Sequence, residues 1–432
     1  MRHRIFIGPN DVAGYFGGLA DGFRAIGVPC MFVDETPDVF QYRRSNVHGL
    51  LGRAQAFAAA RSSGRSWPGW MAVHLVLRAL RLPLRLAILT IALLRCDVFI
   101  FTSGNGFFRG HELPVLRRLG KRIIWVFTGS DHRPPYLSGR YVRRARLEGW
   151  KILATETRRT ASRVALAERY SDVIVAHSAS AQFHVRPFVQ ILAVGLPVSG
   201  PPAIDDSVDE HAPPETGRVR VVHSPSDPES KGTDIIRTIV ASMVADSLPV
   251  DYEEITGRPH DEVIRALAGA DLLIDEVYGD TPMGVLATEA AFLGVPTVCG
   301  GYYAAHLMAD APDGVVPPSR FVDPADLEAA VRELVRDRVV RRNLGRAARA
   351  FVTRRWQQEA VAERYIQLLE GQIPAPWTFD PMRQGYSGGW GIGAADRRSA
   401  VSSLVAGFGV EALALPPNSR VLEGLLAEVM PT

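Results

Sequence analysis

The sequence predicts an α/β protein built from two doubly wound domains, and three observations support this fold class. Short apolar runs alternate with longer helical patterns, as in strands connected by crossover helices. A segment rich in proline and acidic residues, 197–217, interrupts the alternation and predicts a linker. The length of 432 residues exceeds what one hydrophobic core usually holds. We therefore expect domains at 1–196 and 218–375, followed by a tail at 376–432.

Five apolar runs in the first half are continuous, which is typical of parallel strands buried on both faces. These predicted strands are Arg4–Ile7, Cys30–Val33, Asp97–Phe101, Arg122–Phe127 and Asp172–Ala176. The helical patterns between them are Gly18–Ile26, much of 71–95, Glu112–Leu119 and Arg158–Arg169. The first half therefore predicts one Rossmann-like domain.

The second half repeats this kind of series after the linker. Its predicted strands are Arg218–His223, Asp251–Thr256, Asp271–Ile274 and Pro296–Cys299, and its helices are Ile235–Val244, Asp261–Ala268 and Gly284–Leu293. Asp323 and Pro324 predict the N-cap and first residue of a helical stretch that runs to about Leu369. The tail contains a glycine-rich turn, Gly385–Gly393, and then two short helical patterns. Two such domains place a ligand in the crevice between the lobes, beyond the strand ends.

Charge and cysteine usage restrict the classes of function. Residues 1–200 carry 28 Lys and Arg against 12 Asp and Glu, a balance of +16, whereas the remainder carries 21 against 34, a balance of −13. The basic residues are not interleaved with aromatic side chains, so we expect no nucleic-acid partner.

Cys30, Cys96 and Cys299 lack the spacing of a disulfide set or a zinc site and indicate a reducing compartment. No signal-peptide pattern precedes the first strand, so the expected location is the cytoplasm.

The most informative stretch is 271–303, in which a buried strand leads through a turn to a helix that opens near Gly284 and carries Glu289. A helix N-terminus facing the crevice offers free N–H groups and a partial positive charge, which suit a diphosphate. Glu289 lies about one and a half turns into this helix, where its carboxylate can accept hydrogen bonds from a ribose diol. The apolar neighbours of Glu289 argue against a merely solvated side chain.

This stretch resembles the donor site of the retaining glycosyltransferases of GT-B architecture in the large family four (glycosyl transferases group 1). Their motif has the form E-P-F-G-x-x-x-x-E-A, and this chain reads T-P-M-G-V-L-A-T-E-A. The resemblance implies that Glu289 binds the donor ribose and that Thr281, Met283 and Gly284 line the donor site. Thr281 replaces the glutamate that would contact the donor sugar, and whether the neighbouring Asp280 substitutes for it stays open.

Other segments extend the resemblance over roughly residues 1–370. Lys231–Gly232 is similar to the family's K-G step, which implies that Lys231 neutralises the leaving diphosphate, with Ser226 and Gly232 also at the donor. The stretch with Thr256–Gly257 resembles the loop that cups the nucleobase. The segment from Tyr15 to Leu19 resembles the family's glycine loop, which implies donor contacts from Gly17 and Gly18.

Residues 111–133 are similar to a branch of the family that reads L-P-L-L-R-R-x-G-K-x-x-x-x-x-H-G-S-D-x-R. Gly129, Asp131 and Arg133 match this pattern, and the resemblance implies a catalytic Asp131 beside Lys231 and Glu289. Thr128 replaces the histidine of the pattern, and His132 lies nearby but out of register.

Several strings that carry chemistry elsewhere do not fit their usual context here. Asp205–Asp206 lies in the linker and predicts a solvated pair, and neither HxxxH nor HExxH occurs, so we expect no metal site. The G-x-S-x-G string at 385–389 lacks the strand and helix that a nucleophile elbow needs. His177 follows a predicted strand and either faces the crevice or is a satisfied core histidine.

The expected activity is transfer of a sugar from a UDP- or GDP-sugar with retention of configuration, without a prosthetic group or metal. Within the family the leaving phosphate can take the acceptor's proton, so the protein need not supply a general base. Two alternatives stay open: a protein that binds a sugar nucleotide without turnover, and a nucleotide-sugar epimerase. The acceptor class also stays open among small molecules, glycans and lipid-linked sugars.

The segment 71–95 is strongly apolar, yet places His74, Arg78, Arg81 and Arg85 on one helical face. Its charges and Pro83 argue against a transmembrane span. Two interpretations stay open: a core helix pair broken at Pro83, or an interfacial helix that contacts anionic lipid. The second would make the protein peripheral to the membrane.

Overall fold

The computed structural model describes residues 3–35, 70–102, 106–198, 200 and 217–430, with side chains of the second range given from Arg81 onwards. Almost all of the predicted linker lies outside the described residues. The described chain forms two α/β lobes, each built on a parallel sheet, and this confirms the predicted fold class.

The N-terminal lobe contains a seven-stranded sheet. Its strands are β1 (Ile5–Gly8), β2 (Cys30–Phe32), β3 (Val98–Phe101), β4 (Arg122–Val126), β5 (Val173–Ala176), β6 (Phe188–Gln190) and, from the tail, β12 (Thr378–Phe379). The order is β12-β6-β5-β4-β3-β1-β2, and all pairs are parallel except that of β12 with β6. The central strands are buried because both faces of the sheet are covered by helices.

The helices of the N-terminal lobe are α1 (Tyr15–Ala25), α2 (Trp70–Arg95), α3 (Leu113–Arg118), α4 (Gly139–Glu148), α5 (Trp150–Tyr170) and α6 (Ile191–Val194). Helix α2 continues through Pro83, so the predicted break into a helix pair is wrong. No helix among the described residues is long and apolar enough to cross a membrane.

The C-terminal lobe contains a five-stranded parallel sheet in the order β11-β10-β9-β7-β8. Its strands are β7 (Val219–His223), β8 (Val250–Glu254), β9 (Leu272–Ile274), β10 (Thr297–Gly300) and β11 (Arg320–Val322). Its helices are α7 (Pro228–Lys231), α8 (Thr233–Ala245), α9 (His260–Ala268), α10 (Val285–Phe292), α11 (Ala304–Asp310), α12 (Leu327–Arg336) and α13 (Arg338–Arg355).

The end of the chain crosses back to the N-terminal lobe. Helix α14 (Gln358–Leu369) packs against α1, where the hydroxyl oxygens of Tyr15 and Tyr365 lie 2.9 Å apart. Strand β12 then joins the N-terminal sheet, and helix α15 (Ala394–Phe408) packs on α5 before the last helix, α16 (Arg420–Val429).

The helical stretch predicted from Asp323 to about Leu369 is interrupted. Asp323 does act as an N-cap, since its carboxylate accepts the amide of Ala325 at 3.0 Å. Asp337 then ends α12 in extended conformation and caps α13 by accepting two amides. A second break near Trp356 redirects the chain into α14. These caps turn one predicted helical stretch into three helices.

Candidate active site

Lys231 lies at the carboxyl edge of the C-terminal sheet, at the end of the short helix α7. Asp227 caps this helix by accepting the amide of Ser230 at 3.3 Å. Gly232 follows with φ of 73°, and a Cβ there would lie 2.6 Å from Val277 Cγ2. Only glycine therefore allows the chain to turn here between α7 and α8. This turn positions the Lys231 side chain.

The ammonium of Lys231 is held by two buried carboxylates. Its Nζ lies 3.2 Å from Asp275 Oδ1 and 3.1 Å from Glu276 Oε2. Burial disfavours the charged lysine, but the two carboxylates together raise its pKa above the ordinary value. Burial also raises the pKa of Glu276, against the opposing effect of the ammonium. Sequence reasoning did not single out either carboxylate.

The same carboxylates and the thiol of Cys299 could hold a metal ion, because their ligand atoms lie within 4.8 Å of one another. Burial raises the pKa of the Cys299 thiol well above its ordinary value. The positive charge beside Asp275 and Glu276 is the Lys231 ammonium.

The N-terminus of α10 lies beside the same Asp275. No side chain caps this helix, and Gly284 occupies the N-cap position in extended conformation. A Cβ at Gly284 would lie 3.5 Å from Asp275 Oδ2, while the other oxygen of Asp275 faces Lys231. The ammonium and the uncapped amides therefore flank one carboxylate. In the preceding turn, Met283 is fully buried and its carbonyl accepts the Thr281 hydroxyl at 3.5 Å.

Glu289 is 4% exposed, on the inner face of α10. Its Oε1 lies 2.8 Å from His260 Nε2, at the start of α9. Its Oε2 is buried and has no hydrogen-bond partner among the described residues. A buried carboxylate oxygen without a donor is an acceptor for a ligand hydroxyl. Sequence reasoning missed His260, although its position just after the predicted nucleobase loop was a usable signal.

Ser226, Thr256 and Gly257 lie on two exposed loops at this edge of the sheet. The loops are connected, since the Ser224 hydroxyl donates to the carbonyl of Ile255 at 3.0 Å. Gly257 has φ of 64°, and a Cβ there would meet no atom within 4 Å. The structure thus places these residues within reach of solvent, and their donor contacts stay predictions.

Gly17 and Gly18 are not in a loop, which corrects the expectation. They belong to the first turns of α1 and are buried. The Asp11 carboxylate accepts the amides of Phe16 and Gly17 at 2.9 and 3.1 Å, and Gly18 donates to the carbonyl of Gly14 at 2.9 Å. These glycine amides are therefore occupied within the protein. The helix begins early because Asp11 satisfies its first amides.

Asp131 shapes its own loop. Its carboxylate accepts the amide of Gly129 at 2.9 Å and that of Thr128 at 3.2 Å. Burial raises the pKa of Asp131, and the two amides partly offset that effect. Its catalytic role stays a prediction. The next residue, His132, is fully buried with its Nδ1 3.1 Å from His184 Nε2, so its ring belongs to the core of the lobe.

Arg133 and Asp280 form a buried ion pair between the lobes, with side chains 5% and 7% exposed. The same carboxylate oxygen of Asp280 accepts the Ser180 hydroxyl at 3.0 Å. Asp280 therefore binds the N-terminal lobe, which argues against its replacing the glutamate missing at Thr281. The pair joins residues that are 147 positions apart, and no local pattern signals it.

The glycine-rich turn forms a strap, residues 385–393, that contacts both lobes. Trp390 exchanges backbone hydrogen bonds with Leu137 and Gly139 at 2.8 and 2.9 Å. The amide of Gly391 donates to the carbonyl of Tyr278 at 3.0 Å, and a Cβ at Gly391 would lie 3.0 Å from the carbonyl of the residue before Lys231. Five glycines in nine residues allow this close approach. The strap thus borders the candidate site.

The basic stripe of α2 is partly engaged with the protein. Arg81 and Arg85 both pair with Glu35, whose side chain is 1% exposed. The side chains of His74 and Arg78 lie outside the described residues. Because two of its members bind Glu35, the stripe is not a freely solvated face, and membrane contact stays a prediction.

Several solved structures are similar to this chain in fold. The catalytic domain of starch synthase IV from Arabidopsis thaliana, bound to ADP and acarbose, is 11% identical with a TM-score of 0.50, and the match covers 85% of this chain and 99% of that chain. HepE from Anabaena, in complex with UDP and glucose, is 12% identical with a TM-score of 0.46, covering 86% and 100%. A UDP-forming trehalose-phosphate synthase from Burkholderia xenovorans is 12% identical with a TM-score of 0.46, covering 85% and 99%.

No protein-family model and no curated protein matches the chain in sequence. At such low identity, the likeness to the starch synthase domain shows the fold alone. The chain has the two-lobed GT-B fold, with two Rossmann-like lobes and a crossed-back C-terminus.

Proposed function

We propose that the chain transfers a sugar from a nucleoside-diphosphate sugar, a UDP- or GDP-sugar, to an acceptor with retention of configuration. The observation that carries the proposal is that Lys231 and the uncapped N-terminus of α10 flank Asp275 at the carboxyl edge of the C-terminal sheet. An ammonium and free helix amides together suit a diphosphate. The family resemblance in the sequence and the GT-B fold support the same assignment.

In this proposal each side chain has a separate task. The free oxygen of Glu289 accepts a ribose hydroxyl, and the other oxygen is held by His260. Lys231 and the α10 amides stabilise the charge that grows on the diphosphate as the bond to the sugar breaks. The leaving phosphate takes the acceptor's proton, so no protein base and no metal is required. The acceptor binds the N-terminal lobe.

The two carboxylates beside Lys231 bear on how the donor binds. A diphosphate would meet Asp275 and Glu276 as well as the ammonium, and like charges repel. Burial raises the pKa of Glu276, which favours uptake of a proton by this carboxylate when the donor arrives. Lys231 would then exchange Glu276 for a phosphate oxygen.

A second candidate function is binding of a sugar nucleotide without turnover. The observation that favours it is the double ion pair of Lys231, because an ammonium already paired with Asp275 and Glu276 is less available to a leaving group. The replacement of a family glutamate by Thr281 points the same way.

A thermal-shift screen of UDP-, GDP-, ADP- and TDP-sugars tests the proposal, because a bound donor raises the melting temperature by mass action. Sugar transfer further predicts release of the nucleoside diphosphate when an acceptor is present. Binding without release would favour the second candidate, and interconversion of the sugar without acceptor would indicate an epimerase. If no nucleotide sugar shifts the melting temperature, the donor assignment is wrong.

A further inference from the structure

A cavity of about 560 Å³ lies in the N-terminal lobe, between strand β4 and one face of helix α5. Its wall carries one carboxylate, Glu156, and four arginines: Arg109, Arg158, Arg159 and Arg163. Four positive charges against one negative charge give the cavity a formal charge of +3. A concave, strongly positive wall concentrates anions.

Much of this charge is not neutralised within the protein. Arg159 pairs with Glu156 at 2.8 Å, and Arg163 donates to a backbone carbonyl at 3.0 Å. Arg109 and Arg158 have no side-chain ion pair or hydrogen bond to the residues that the structure describes. At least two guanidinium groups are therefore ready to bind an anion.

One residue that lines the cavity has an unsatisfied buried donor. Trp125 lines the cavity, is 1% exposed, and its indole N–H is buried without a partner among the described residues. A buried donor of this kind usually has an acceptor. Oxyanions such as phosphate offer several acceptor oxygens, and the planar guanidinium fork matches their geometry. The unpaired guanidinium groups thus favour an oxyanion as the ligand.

The loop at residues 131–133 contacts both the cavity wall and the C-terminal lobe. The carbonyl that accepts from Arg163 belongs to Asp131. Two residues later in the same loop, Arg133 forms the buried ion pair with Asp280. Asp280 directly precedes Thr281, in the turn before helix α10. This loop therefore contacts both an arginine of the cavity wall and a residue next to the candidate donor site.

We propose that this cavity binds an oxyanion, a phosphate group in the first place, carried by the acceptor. The acceptor is then an anionic molecule, such as a phosphorylated sugar or a phosphate-bearing lipid, rather than a neutral glycan. Calling the bound molecule the acceptor rests on the proposed function, whereas the oxyanion site itself rests on the cavity.

The test measures binding of inorganic phosphate, sulfate and glucose 6-phosphate to the full chain by calorimetry, with glucose as the neutral probe. The double variant Arg109→Gln/Arg158→Gln removes the two unpaired arginines. Arg118→Gln is the matched control, since Arg118 is an exposed arginine of the same lobe outside the cavity. We expect glucose 6-phosphate to bind more tightly than glucose. Its affinity should fall about 100-fold in the double variant, roughly tenfold per arginine, and stay unchanged in the control.

Co-sedimentation with phosphatidic acid and phosphatidylcholine vesicles separates the two sources of the phosphate. Binding to phosphatidic acid alone, lost in the double variant, assigns a lipid phosphate, whereas binding of glucose 6-phosphate alone assigns a soluble acceptor. Equal phosphate affinity in the double variant and the Arg118→Gln control would overturn the oxyanion site, as would no binding of any anionic probe. Phosphate binding without any nucleotide binding would overturn the donor assignment and leave the oxyanion site intact.

Discussion

Replacing Glu289 by glutamine removes the charge of the carboxylate at the candidate ribose site while keeping its size. In the structure Oε1 is already 2.8 Å from His260, so Oε2 is the atom free to accept a ligand hydroxyl. One hydrogen bond contributes about 1.5–3 kcal/mol to a charged acceptor and about 0.5–1.5 kcal/mol to a neutral one, so the substitution should cost about 1–1.5 kcal/mol. At about 1.4 kcal/mol per factor of ten, the dissociation constant of the nucleotide should rise about 5- to 12-fold.

The assay is calorimetric titration with UDP and GDP, and with the 2′-deoxy form of whichever binds. The wild-type protein should lose affinity for the deoxy nucleotide, and Glu289→Gln should lose less, because its contact with the ribose hydroxyl is already weakened. Glu262→Gln on the neighbouring helix is the control. The Glu262 side chain is 41% exposed, and its nearest arginine nitrogen, from Arg258, lies 3.8 Å away, too far for a hydrogen bond. Equal affinities of the wild type and Glu289→Gln for the ribonucleotide would refute the ribose assignment.

Three further changes probe the rest of the molecule. Lys231→Ala leaves two buried carboxylates without their cation, so the free energy of unfolding should fall by about 3–5 kcal/mol in urea titrations. Turnover should fall more than donor affinity, while EDTA added to the wild type should leave turnover unchanged. Gly139→Ala would place a Cβ 1.8 Å from the carbonyl oxygen of Gly391. It should therefore lower the melting temperature and speed proteolysis of the strap. Gly385→Ala is the control and should do neither, because a Cβ there makes no close contact. Burial and Arg133 lower the pKa of His177 to about 4, against about 6.5 in the unfolded chain. Between pH 4 and 6.5 the unfolded chain therefore binds a proton at His177 that the folded chain does not bind. The free energy of unfolding should fall as the pH drops from 6.5 to 4. His177→Gln should reduce that slope by up to about 1.4 kcal/mol per pH unit, and an unchanged slope would contradict the assignment.

The strand series was predictable because continuous apolar runs have one stable environment, a sheet covered on both faces. The run at 98–101 is fully buried in β3, and similar runs formed the other central strands. Strand β6 has only three residues, and helix α4 is rich in arginine with only Gly139, Val142 and Ala145 buried, so neither contains an apolar run long enough to reveal it. Local periodicity thus identifies the centre of each lobe better than its edges.

The candidate site was predictable only in part. Lys231, Gly284 and Glu289 lie in one connected region, as expected from residues near strand ends. Their partners were not predicted, because the contact of Glu289 with His260 and the pair between Arg133 and Asp280 join distant segments. Such contacts depend on how the lobes and loops pack against each other, and a short sequence motif does not predict that packing.

The proposed donor site requires a diphosphate to bind between Lys231 and the N-terminus of α10. A crystal structure of the protein with the nucleoside diphosphate that binds most tightly tests this placement. We expect phosphate oxygens at about 2.7–3.2 Å from Lys231 Nζ and from amides of the first turn of α10. We also expect the ribose to lie against Glu289 Oε2 and the distance from Lys231 to Glu276 to be longer. A diphosphate bound elsewhere, with Lys231 still in contact with Asp275 and Glu276, would contradict this placement.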